Sequence, residues 1–317
     1  MKGFAWDQVT REFKPAARVV TIGTFDGVHR GHQHLLNSVA ERAASVGAIS
    51  TAVTFEPIPA MVLRPDHFPG RISMPADKRR RLSEQNLDEL LTLPFTLELS
   101  QVTAEEFMGE LRRVLTPIEV WVGEAFALGR RRLGDVDLLR KLGDDLGYRL
   151  VAVPRVEVKG AVVSSGMIRD AILEGDVSRA KELLCRPFRV AGVVIHGEHL
   201  GRTLGFPTAN FKPAKEQVAV ADGIYASFAT LAGEDLIRPA MTYVGTRPTV
   251  NSGERQVETH ILDFDGDLYG QDLRVDLIKR LRGDAVFDSL NALVAQLRHD
   301  EATTREVLST KCLAKVD

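Results

Sequence analysis

Helical periodicity nearly stops midway along this chain. Before Cys185-Arg186-Pro187, short β-branched runs alternate with amphipathic helix patterns; after it, β-branched segments follow at close spacing, broken by glycine and proline. Alternating strands and helices build an open, mostly parallel sheet, because parallel neighbours need crossover connections that helices supply. Closely spaced strands joined by turns close instead into a small antiparallel barrel. One fold cannot satisfy both patterns. The 317 residues leave room for two domains of roughly 150 residues each, with the boundary expected near Arg186.

In the first half, residues 18–22 (RVVTI), 50–55 (STAVTF), 118–122 (IEVWV) and 148–153 (YRLVAV) have the composition of buried parallel strands. Leu35, Val39, Ala43 and Val46 form one helical stripe between the first two, and Leu138, Leu139, Leu142 and Leu146 another between the last two. In the second half the expected strands are residues 190–196, 205–211, 224–231, 240–245, 256–264 and 273–278. Phe287, Leu290, Leu293, Val294 and Leu297 then mark a closing helix.

A net charge of −2 gives no reason to expect a nucleic-acid or anionic-membrane surface. The run Lys78-Arg79-Arg80-Arg81 reads as solvated surface; Arg130-Arg131-Arg132, beside a glycine motif, is the better candidate for touching phosphate. Cys185 and Cys312 lie far apart without metal-ligand spacing, which fits a reducing compartment. The first residues include Asp7 and Glu12 and no apolar run of signal-peptide length, and no stretch approaches the roughly 20 apolar residues of a membrane span. The expectation is a cytoplasmic protein.

Residues 23–32, GTFDGVHRGH, follow the first strand and open the first helix. A glycine-rich turn brings backbone N–H groups close to phosphate, and the helix start adds positive potential. His29 and His32 can face one polyphosphate from that terminus, with Gly23, Phe25, Asp26 and Gly31 framing the turn. Further on, Ser164 and Ser165 begin a helix with Arg169 one turn in, either a second phosphate cradle or simply a capped helix. Residues 123–129 (GEAFALG) fall at a strand end, where ligands of α/β sheets collect.

Residues 192–210 read GVVIHGEHLGRTLGFPTAN. Gly197, Gly201 and Gly205 can form a pliable flap over a nucleotide, and Thr208 and Asn210 offer hard oxygens suited to magnesium. Hairpin turns would account for the glycines alone, but not for the whole string. In the alternating segment VETHILDF, Glu258 shares a face with His260 and Leu262, opposite Val257, Thr259 and Ile261. A carboxylate there is either solvent-facing or placed for a substrate hydroxyl.

PTAN with its glycine lead-in, YVGTRPT, VETHILDFDGDLYGQ and the terminal FDSLNALVAQLRHD resemble the riboflavin kinase module; GTFDGVHRGH resembles the HxGH nucleotidyltransferases. Together, over about residues 18–305, the chain resembles the bacterial bifunctional riboflavin kinase/FAD synthetase family. That resemblance implies an N-terminal Rossmann-like adenylyltransferase domain (1–186) and a C-terminal six-stranded antiparallel β-barrel kinase domain (187–317) with a closing helix. It implies phosphorylation of riboflavin to FMN, then adenylylation of FMN to FAD, with ATP and magnesium. Glu258 would accept the ribityl hydroxyl proton, Thr208 and Asn210 would hold magnesium-ATP, and Arg282 would bind flavin. His29, His32, Ser164, Ser165 and Arg169 would bind phosphate. Partners would be small molecules, without nucleic acid or membrane, and oligomerisation is left open. The chain departs from the family pattern where Ile58 replaces a histidine, Ala125 an acid or amide, Leu128 a phenylalanine and Gly166 a threonine. A kinase-only protein with a weakened first domain is therefore the alternative, and a flavin-binding regulator a third.

Overall fold

The structure, a computed structural model, describes residues 15–197, 200–246 and 255–309. The readings of residues 1–14, of Arg247, Pro248 and Thr249 in YVGTRPT, and of Cys312 lie outside them. The chain divides into two compact units, Met1–Ser165 and Gly166–Asp317.

The first unit is a parallel sheet of β1 (Arg18–Ile22), β2 (Ile49–Glu56), β3 (Glu89–Pro94), β4 (Pro117–Gly123) and β5 (Arg149–Val153), in the order β3-β2-β1-β4-β5. Alternate residues of β1 serve opposite faces, as strand geometry requires. Val20 and Ile22 pack with Phe107, Met108, Leu111 and Leu115 of the helix Ala104–Leu115. Val19 packs with Leu35, Leu36, Val39 and Ala43 of the helix Arg30–Val46. Val46 is exposed where the helical stripe had it facing inward, and Leu36 is buried instead. A helix of non-integral period rotates its apolar face away within a few turns. Chain order reverses between β1 and β4. The helix after β1 covers one face and the helix Val136–Leu146 after β4 covers the other, so a crevice forms at their carboxyl ends. A short hairpin of β6 (Glu157–Val158) and β7 (Ala161–Val162) ends this unit.

The helix Ser165–Glu174 begins at the last residue of the first unit; in the second unit the helix Val177–Leu184 precedes β8 (Phe188–Val193), β9 (Ala209–Phe211), β10 (Gly223–Leu231), β11 (Ile237–Thr246), β12 (Arg255–Ile261) and β13 (Asp272–Arg282). The strands are antiparallel in the order β8-β13-β10-β11-β12-β9. The two edges meet where the Ile195 amide donates to the Asn210 carbonyl at 2.7 Å. Of the expected strand 205–211, only Ala209–Phe211 pairs. Ser227, Thr242 and Thr259 form a buried hydroxyl ladder across three strands, at 2.7 and 3.2 Å, so these polar groups satisfy one another inside the core. The closing helix is Leu290–Ser309. Phe287 lies before it and Leu290 is exposed, so it begins later than its apolar spacing predicted. Its buried residues are Asp300, Thr304 and Leu308. Among the described residues no helix is long and apolar enough to cross a membrane.

Candidate functional site

The turn after β1 is held in an uncommon backbone shape. Phe25 and Val28 adopt φ of 50° and 41°, and both are buried. Left-handed conformations of bulky residues persist only where their surroundings impose them. The Phe25 ring lies over Gly23, where a Cβ would come within 2.7 Å of it. The Asp26 carboxylate accepts the Ile72 amide at 3.1 Å and the Ser73 amide at 3.2 Å, while its carbonyl accepts the Ser165 hydroxyl at 3.2 Å. The second serine motif thus touches the first turn, through Ser165. Ser164 is exposed beside it, and Arg169 lies one turn along the helix.

His29 is the N-cap of the helix Arg30–Val46, its Nδ1 accepting the His32 amide at 3.3 Å. The two imidazoles stack at 3.6 Å between centroids, and Gly31 lies against the His29 ring. His32 is half-buried as a residue, but its Nδ1 is enclosed and has no hydrogen-bond partner among the described residues. Burial, and then the nearby His29 and Lys78, hold its pKa well below the ordinary imidazole value. A negative charge placed beside it would favour the imidazolium and oppose that shift.

Lys78 corrects the reading of its basic run as solvated. It is buried, and its ammonium donates to the Phe55 carbonyl at 2.7 Å and the Thr24 carbonyl at 3.2 Å. Arg80 and Arg81 behave as expected of surface residues, pairing with Asp77 and Glu84 on their own helix. Nothing in local sequence separates these neighbours except the 3.6-residue period that turns Lys78 and Leu82 inward together. Arg130, Arg131 and Arg132 are exposed beyond β4, past a loop with Phe126 and Leu128 packed on the core.

In the barrel, Glu258 is half-buried with His260, while Val257, Thr259 and Ile261 point inward, as alternation predicts. Glu258 pairs with Asn210 on one side and with Tyr243 on the other; the row continues through Ile224 to Arg282. The Asn210 amide nitrogen donates to Thr208, at 3.0 Å to its carbonyl and 3.3 Å to its hydroxyl. That orientation directs the nitrogen into the turn and leaves the amide oxygen for another partner.

Two glycines make room around this pair. A Cβ at Gly197 would meet the Asn210 amide at 2.7 Å, and one at Gly201 would meet the Phe206 carbonyl at 2.4 Å and the Thr208 hydroxyl at 3.4 Å. Gly197 and Gly201 thus bring backbone close to Thr208 and Asn210, a donor set of hard oxygens that fits magnesium. Gly205 follows the short helix Leu200–Thr203; Glu198 and His199 lie outside the described residues.

The Arg282 guanidinium is held by Asp300, at 2.9 Å through Nε and 2.8 Å through Nη2, and Asp300 is itself buried. Tyr243 was not singled out in the sequence. Its hydroxyl lies 3.4 Å from Asp284, and burial, then the negative charges of Asp284 and Asp222, push its pKa up to about 12.

A parallel sheet with a histidine-bearing glycine turn is followed by an antiparallel barrel with a glycine-backed Thr/Asn pair and a carboxylate, the layout of a two-domain transferase. A family model described as FAD synthetase matches residues 12–167, and one described as riboflavin kinase matches residues 184–308. The chain belongs to the bifunctional riboflavin kinase/FMN adenylyltransferase family. It is 38% identical over 289 residues to the Escherichia coli (strain K12) protein of that name, covering 91% of this chain and 92% of the relative. Similarity to the Pseudomonas fluorescens protein is again 38%, over 90% and 92% of the two chains. A solved structure from Streptococcus pneumoniae, described as a macrolide-efflux protein, superposes with a TM-score of 0.84 at 31% identity, over 93% of this chain and 96% of that one.

Proposed function

We infer that this chain makes FMN from riboflavin and ATP in its second unit and FAD from FMN and ATP in its first. The observation that carries the kinase reading is the register placing Glu258 directly opposite Asn210. Directly paired residues bring side chains to about 4.5–5.5 Å at Cβ, so a carboxylate that accepts the ribityl hydroxyl proton stands beside the pair that receives ATP phosphates. Deprotonation makes the hydroxyl a better nucleophile for in-line attack on the γ-phosphorus. Magnesium, held by Thr208 and Asn210, would neutralise phosphate charge. Arg282, fixed by Asp300, is assigned to the flavin.

In the first unit no strong base is required, since the FMN phosphate is already anionic. The protein's task is alignment and stabilisation of the departing pyrophosphate. His29, His32 and the amides of the turn are assigned that role, with Ser164 and Ser165 as further phosphate contacts. Incubation with riboflavin, ATP and magnesium, with products resolved chromatographically, tests both halves. FMN followed by FAD supports the bifunctional reading, FMN alone restricts it to the kinase, and neither product refutes it.

A further inference from the structure

Beneath the phosphate turn of the first unit lies a buried charged cluster that the chemistry above does not use. Lys78, Arg71 and Asp26 are each almost fully buried, and Glu56 is largely so. Arg71 binds Glu56 at 2.6 Å, whereas Lys78 approaches the same carboxylate only to 3.5 Å. The stronger bonds of Lys78 go elsewhere, to the carbonyls of Thr24 in the turn and Phe55 at the end of β2. Arg71 already pairs with Glu56 at closer range, so that carboxylate accounts for only part of the environment of Lys78. A carbonyl pair at the carboxyl edge of two adjacent strands needs a donor from below, and Lys78 supplies it. The Thr54 hydroxyl donates to the Thr24 carbonyl as well, at 3.2 Å, so this one oxygen is gripped twice. The residues that follow it, Phe25 and Asp26, are the ones held in the left-handed and amide-bound conformations that lead into His29.

We propose that Lys78 is a positioning residue for nucleotidyl transfer, holding the Thr24–Phe25–Asp26 turn in the shape that presents His29 and His32 to a nucleoside triphosphate. The proposal rests on the reading of the first unit as the adenylyltransferase. Because Lys78 already donates to two carbonyls and faces Glu56, it acts on the substrate through the turn rather than by contact. Its charge also reaches His32, where it joins burial and His29 in disfavouring the imidazolium. The charged and titratable groups around it are Glu56 from β2, Arg71 from the following loop, Asp26 from the turn and His32 from the helix start.

Two variants of the full chain separate positioning from stability. Lys78→Met removes donors and charge; Lys78→Gln removes the charge but keeps two donors, on a side chain one atom shorter. The riboflavin kinase rate of the same chain reports on the second unit, and the 1H–15N spectrum of the first unit reports on its folding. FMN-to-FAD turnover in Lys78→Met should fall at least about tenfold, the scale on which small misalignments act, with Lys78→Gln recovering part of it. The His32 ring titration, read by NMR, should move to higher pH in both variants. Unchanged turnover and an unchanged His32 midpoint would overturn the proposal, as would losses that match the unfolded fraction in both variants. A wild-type protein that makes no FAD refutes the reading of the site instead, and the His32 titration still decides the role of Lys78.

Discussion

Asn210 stands opposite Glu258 where β9 pairs with β12, and its amide nitrogen is tied back to Thr208. The carboxylate and the Asn210 amide therefore sit on adjacent strands, fixed by hydrogen-bond register, and Thr208 joins them from the turn just before β9. Glu258→Gln should lower FMN formation by about 10²–10⁴-fold, the usual worth of a general base, while FAD formation from supplied FMN continues. Flavin chromatography measures both. A variant retaining half its kinase rate would make Glu258 a strand residue without a catalytic role.

The depressed His32 pKa has two consequences with definite signs. A bound triphosphate favours the imidazolium, so ATP binding at the first unit should take up a proton and strengthen as pH falls. Calorimetry in two buffers of different ionisation enthalpy should show that uptake in the wild type and its loss in His32→Asn. In the unliganded protein the unfolded state binds the proton more readily than the folded one. The contribution of His32 to stability is thus complete above the unfolded value of about 6.5 and declines as pH falls through it. Thermal melts across that range in wild type and His32→Asn should diverge on the acid side.

Residues 166–186 group with the second unit, and this bears on any fragment of it. Val177, Ala180, Leu183 and Leu184 of the helix Val177–Leu184 are fully buried, and the Ser178 hydroxyl donates to the Ile278 carbonyl of β13. A fragment starting at Gly166 should fold and keep kinase activity. One starting at Pro187 should be less stable, since each large aliphatic side chain stripped of its partners is worth roughly 1.5–3 kcal/mol. Urea melts of the two fragments, with kinase assays, would show this; equal midpoints would support a boundary at Arg186.

The departures from the family pattern differ in environment. Ala125 and Gly166 are exposed, but Ile58 is 3% exposed at the start of a short helix. Ala125→Asn and Gly166→Thr should be tolerated and raise FMN-to-FAD turnover, and His29→Ala in that background should abolish the gain. Adding Ile58→His buries a polar ring and should cost about 1–3 kcal/mol unless substrate engages it. Turnover and melting temperature of the double and triple variants decide it, and no gain in a folded double variant would show that these positions do not limit the reaction.

Much of this was legible from local pattern. The strand β1 ends where its β-branched run ends, the HxGH turn opens the expected helix, and the strand β12 turns Glu258 away from the core. The strand β3 and the helix Ala104–Leu115 escaped notice although Phe107, Met108, Leu111 and Leu115 carry a helical period. Their signal was present but not tied to any functional motif.

The sequence by itself determined the two kinds of architecture, the HxGH turn and the strand face bearing Glu258, because side-chain period and turn chemistry act over a few residues. Only the tertiary structure decided that Lys78 is buried while Arg80 is not, that Arg282 is clamped by Asp300, and that Ile195 meets Asn210 to join the sheet edges. Each of these depends on which segment another element packs against. Lys78 goes inward because the carbonyls of Thr24 and Phe55 await donors, and Asp300 because Arg282 offers two bonds in one plane. Such pairings join residues 15 to 54 positions apart, beyond the reach of any local period.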